Sequence, residues 1–102
     1  MQQKPTVIDG TALSAPQKKD VLNRLARVEG QLRGVQRLIA LADVPADLDT
    51  VAQQMAAARK ALDRAFVQLL AGAMVTHTGN AVDVEQARVN AAHLAALLEK
   101  YA

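Results

Sequence analysis

The chain predicts an all-α protein of three helices, and three observations carry that prediction. It is 51% hydrophobic but only 2% aromatic, so its core must be built from Leu, Val, Ala and Met, which suits helix packing. Apolar residues recur at alternating spacings of four and three along three separate stretches. Between those stretches lie the breakers Pro45 and Gly79-Asn80.

Residues 1–15, MQQKPTVIDGTALSA, show no sustained period and predict a flexible tail ahead of a helical domain at 16–102. Ser14 can cap the first helix, with Pro16 near its first turn. Val21, Leu25, Val28, Leu32, Val35 and Ile39 then form one seam. Gly30 and Gly34 share a face of this helix and either admit a close neighbour or are simply tolerated. Pro45 disfavours helical geometry at Val44, and Asp47 or Asp49 suits the next helix start.

The second helix is predicted over about residues 48–77, with a seam of Val51, Met55, Ala58, Leu62, Ala65 and Leu69. Phe66, Leu70 and Met74 flank it, and Met55 and Met74 are expected in the core. Gly79 and Asn80 are the expected stop. The third helix is predicted over about 82–101, with Ala87, Ala91, Leu94, Leu98 and Tyr101 as its seam. At 1.5 Å per residue the three would measure roughly 39, 45 and 30 Å. The short helix cannot cover the long pair, so the exposed groove predicts at least a dimer, closed as an antiparallel four-helix bundle.

The 102 residues suit one domain and include no cysteine, which excludes disulfides, thiol nucleophiles and thiolate metal sites. No run is apolar enough for a membrane span or a signal peptide, so the expected location is cytoplasmic, with no membrane partner. Net charge is only +2, but its distribution is uneven. Residues 16–37 carry six basic residues against Asp20 and Glu29, and residues 38–102 carry five basic against seven acidic. On a helical wheel Arg24, Arg27 and Gln31 border the seam, while Arg33 and Arg37 fall opposite it with Lys19. A solubilising face is the ordinary explanation. Two features weigh against it. Arginine matches phosphate with paired hydrogen bonds, and only Asp20 and Glu29 are spaced to neutralise these arginines.

The stretches VLNRLARVEGQLRGVQRLI and QMAAARKALDRAFVQLL carry a resemblance to the CsoR/RcnR/FrmR family of small bacterial transcriptional repressors. It covers roughly residues 16–101. The resemblance implies a three-helix chain forming an antiparallel four-helix-bundle dimer that assembles further into tetramers. It also implies double-stranded operator DNA as partner, bound on a basic face and released by a metal ion or by formaldehyde modification. Carried over residue by residue, the DNA-binding surface falls on Arg24, Arg27, Gln31, Arg33, Arg37, Arg59 and Lys60. The family's sensing positions fall on Leu48, Ala73 and His77, where only His77 can ligate and the usual cysteine is missing. A lone imidazole makes no tight Cu(I) site.

No confident cofactor therefore follows, and a divalent metal around His77 is the lesser alternative. Other possibilities are an organic effector in the space left by Leu48 and Ala73, repression without an effector, or regulation as partner of another family member. A fourth is a helical protein-interaction bundle that does not bind DNA. His93, on the third helix, is expected on or near the packed face in a structural role. An enzyme is not expected, since no Ser-His-Asp set, paired carboxylates or Gly-rich phosphate loop is evident.

Overall fold

A computed structural model describes residues 11–101, and they form three helices: α1 (Ala15–Leu41), α2 (Asp47–Asn80) and α3 (Val84–Tyr101). Ser14 caps α1 in a reciprocal box. Its hydroxyl accepts from the Gln17 N–H at 3.2 Å, and Gln17 Oε1 accepts from the Ser14 N–H at 2.8 Å. Asp47 opens α2 by accepting two backbone N–H groups of the turn, Asp43 at 2.9 Å and Val44 at 3.1 Å. These bonds hold its carboxyl below the ordinary value of 3.8. Asp83 caps α3, accepting from the Gln86 N–H at 2.8 Å.

The described residues divide into two compact units. The hairpin unit, residues 19–68, holds most of α1 and the first part of α2. Its core is Val21, Val28 and Val35 from α1 with Val51, Ala58 and Ala65 from α2, each set stepping by seven. Valines against alanines allow the two helices a close contact along their length. The alternate seam positions stay open. Leu32, Met55 and Leu62 are 47%, 51% and 48% exposed, and Ile39 is also exposed. The predicted seams are thus real, but within the chain only every second member is buried. Met55, expected in the core, is exposed for this reason, and Met74, also expected there, is exposed as well. Gly30 and Gly34 have open space around them, so neither admits a close neighbour within the chain.

The terminal unit joins residues 11–18 to residues 69–101, and hydrogen bonds of buried and half-buried side chains run through it. Asn90, 2% exposed, donates from Nδ2 to the His77 carbonyl at 2.8 Å and accepts from Gln86 Nε2 at 2.9 Å. Leu94 is buried one turn on. Residues 1–10 of the expected tail lie outside the described residues. Of the remainder, the Thr11 carbonyl accepts from Asn80 Nδ2 at 2.8 Å, and Gln17, at the start of α1, accepts from the Thr76 hydroxyl at 2.6 Å.

The second helix ends at Asn80, at the expected Gly79-Asn80 stop, and the Asn80 side chain is tied to Thr11. Two expectations are corrected here. Helix α3 starts at Val84 rather than about 82, because Asp83 provides the cap. Of its predicted seam only Leu94 is buried. Ala87, Ala91, Leu98 and Tyr101 are exposed, and the polar Asn90 is the most buried residue of α3. Apolar spacing cannot announce that site, because its occupant satisfies a carbonyl near the end of α2.

Candidate nucleic-acid interface and sensing site

Both helices of the hairpin unit contribute to the basic surface. Arg24, Arg27 and Gln31 of α1 meet Ala61 and Arg64 of α2 around a concavity of about 200 Å³. A larger one, about 430 Å³, is lined by Arg24, Lys60, Asp63, Arg64, Val67 and Gln68. A third, about 260 Å³, adds Asp20 and Asn23 to Arg24, Arg27 and Gln68. Arg24 lines all three. Of the residues singled out from sequence, Arg24, Arg27, Gln31 and Lys60 are therefore drawn together. Arg33, Arg37 and Arg59 are exposed on the helices but line none of these three concavities.

Arg64 is the residue that sequence reasoning missed. It follows Lys60 by four positions and so shares its helix face, a signal that was present. Gln68 lies one turn further along, lines two of the concavities, and has its Oε1 buried without a hydrogen-bond partner. The guanidinium of Arg24, which lines the same two, is a donor of matching chemistry. Such a surface suits an anion with several oxygens: planar forks from two helices, with room between them for a phosphate.

The positions implied for sensing look different. Leu48 is exposed on the first turn of α2 and offers no donor atom. Ala73 offers only its carbonyl, already engaged by His77 Nδ1 at 2.5 Å. His77 is buried, at 7% exposure. A carbonyl oxygen only accepts, so Nδ1 carries the proton and Nε2 the lone pair. One nitrogen does not make the three-donor site that the resemblance implies, so Leu48, Ala73 and His77 do not fit such a metal. Among the described residues no group of three or more His, Cys, Asp or Glu could hold an ion. His93, expected on or near the packed face, is an exposed residue, although its ring sits 5.6 Å from that of His77. Beside them, where α2 and α3 meet, is an apolar concavity of about 240 Å³ walled by Met74, Leu94 and Leu98, with His77 and Asn90 also in its lining.

Among the described residues no helix is long and apolar enough to cross a membrane. No curated protein and no solved structure matches the chain. The family model described as "Metal-sensitive transcriptional repressor" matches residues 17–100, which takes in all three helices almost entirely. A match over that much of the chain, on a three-helix frame with arginines gathered across α1 and α2, places this protein in the family of CsoR-like metal-sensitive transcriptional repressors.

Proposed function

We propose that the chain represses transcription by binding operator DNA through the α1–α2 surface centred on Arg24. The observation that carries this is the convergence of Arg24, Arg27 and Arg64 around one concavity, with Lys60 beside it. Arg33, Arg37 and Arg59 extend the positive field to phosphates further along the duplex. Each neutralised phosphate adds about 0.9 to the slope of log affinity against log salt. Sequence preference then arises mainly from DNA shape, since nothing in the hairpin presents a reading helix of the helix-turn-helix kind.

The same reading includes self-association. Leu32, Ile39, Met55 and Leu62 are open seam positions on the two helices of the hairpin unit. A second copy packed antiparallel would cover them and complete a four-helix bundle, with further pairing to a tetramer. The effector is not Cu(I) at the family position, because Leu48 and Ala73 supply no ligand there.

The test is fluorescence anisotropy with a duplex from the protein's own upstream region, at two salt concentrations, against a scrambled duplex. Arg24→Ala and Arg64→Ala should each weaken binding by about tenfold, the loss of one charge-assisted contact of about 1.5 kcal/mol. Each should also lower the salt slope by about 1. Equal and feeble binding of both duplexes by the unmodified protein would overturn the proposal.

A further inference from the structure

We propose that Gln68 is a positioning residue of the basic surface: its Oε1 accepts a hydrogen bond from the Arg24 guanidinium when a phosphate draws that side chain into the concavity between α1 and α2, and so holds the arginine fork toward the phosphate. This role rests on the DNA-binding reading proposed above and adds to that surface a residue that carries no charge.

An unpaired acceptor carries it. Gln68 Oε1 is buried without a hydrogen-bond partner, the single buried side-chain nitrogen or oxygen in that condition among the described residues. Leaving a buried polar atom unpaired costs stability, so folded proteins keep few of them without a use. Gln68 follows the buried Ala65 by three residues, and Arg24 follows the buried Val21 by three. The packed hairpin core therefore fixes both backbones, and only side chains need to move.

The concavities show which donor meets this acceptor. Gln68 lines two of them, of about 430 and about 260 Å³. Lys60 and Arg64 line only the first of these, and Asn23 and Arg27 only the second. Arg24 alone among these donors lines both. Its guanidinium carries several N–H donors in a planar fork. A phosphate takes a parallel pair of them, which leaves others for Gln68. A long side chain already held on one edge loses less rotamer entropy on binding. Asp20 and Asp63 share these linings. A carboxylate clamp, however, would set a negative charge beside the phosphate, and the neutral Gln68 amide does not.

The test is a double-mutant cycle in operator binding, read by fluorescence anisotropy, with Gln68→Met. Methionine keeps the length and helix propensity of glutamine and lacks the amide acceptor. Gln68→Met should weaken binding about fivefold, the usual worth of one hydrogen bond. Its salt slope should equal that of the unmodified protein, because no charge is lost. In the Arg24→Ala background the same change should alter affinity by less than about twofold, while in Arg64→Ala the loss should persist. A loss undiminished by Arg24→Ala, or no loss at all, would overturn the role.

A second readout needs no DNA. The Arg24 Nε–H resonance, identified by its absence in Arg24→Ala, is followed by NMR relaxation as inorganic pyrophosphate is added to saturation. It should become ordered in the unmodified protein and in Gln68→Glu, which keeps an acceptor, and stay mobile in Gln68→Met. An Arg24 side chain that stays mobile in the unmodified protein, or orders equally in Gln68→Met, would also overturn the role. The two readings fail separately. Operator that does not bind, with Arg24 still ordered by pyrophosphate through Gln68, would sink the DNA reading and leave the clamp. Operator binding in which the Gln68 and Arg24 losses simply add would sink the clamp and leave the DNA reading.

Discussion

The hairpin unit and the terminal unit share the long helices α1 and α2, and the terminal unit adds α3 and a buried polar residue that the hairpin core lacks. In residues 19–68 the contact is Val21, Val28 and Val35 against Val51, Ala58 and Ala65, and the arginines lie outside. In residues 11–18 with 69–101 the most buried side chain is Asn90, and the contacts run through Asn90, His77, Gln17 and Thr76. An apolar zipper is non-directional and leaves its outer face free to be covered with arginines. A hydrogen-bonded lock is directional, fixes particular side chains, and so can set a histidine pair at a defined separation.

The largest effect expected from stability measurements falls on the lock. Asn90→Ala removes a buried donor and acceptor and leaves the His77 carbonyl unpaired, at a cost of about 2–3 kcal/mol. Urea denaturation checks it. A loss below about 0.5 kcal/mol, the ordinary range for surface substitutions, would mean that the terminal unit is held by its apolar contacts and that the contrast is false. DNA binding measured under folding conditions should survive the change, because Asn90 is not part of the arginine surface.

A smaller effect separates the glycines. Gly34→Ala, in open space, should stabilise by about 1 kcal/mol through helix propensity alone. At Gly72 a Cβ would lie 3.3 Å from Leu13 Cδ2 and 3.5 Å from Gln17 Cδ. The neighbouring leucine tip must give way, so Gly72→Ala should gain clearly less than Gly34→Ala. Thermal unfolding of the two variants side by side measures the difference. If the Gly34→Ala gain falls as protein concentration rises, the covering copy sits over Gly34, which sharpens the self-association proposal.

The smallest effect concerns the turn into α2. The folded carboxyl of Asp47 is held below its ordinary value by the Asp43 and Val44 N–H groups. Its contribution is thus complete above the unfolded value of 3.8 and is lost as pH falls through the lower folded one. Asp47 lies at the surface, where water screens its charge, so the effect is slight. Asp47→Asn should flatten the acid limb of stability against pH while leaving neutral stability almost unchanged. An acid limb identical to that of the unmodified protein would remove the carboxylate from the account.

Much of the fold was legible in advance. The alternating four-three spacing revealed α1 and α2 and their seams, because a helix in water must put its apolar residues on one side. Ser14 marked the start of α1 through its capping chemistry. The seam of α3 was right only at Leu94, because periodicity counts apolar residues, while α3 is also seated by Asn90, a polar residue whose value depends on a carbonyl 13 positions away. The end of α2 was legible too, since the helix stops at the Gly79-Asn80 pair.

The sequence by itself determined the helix count, the basic character of α1 and the lack of donors at Leu48 and Ala73, because each is a property of residue type and local spacing. Only the tertiary structure decided that Arg64 joins Arg24 and Arg27, that alternate seam residues stay open, and that His93 stands beside His77. These are distances between residues far apart along the chain, and they exist only once packing and buried hydrogen bonds have set the helices against each other.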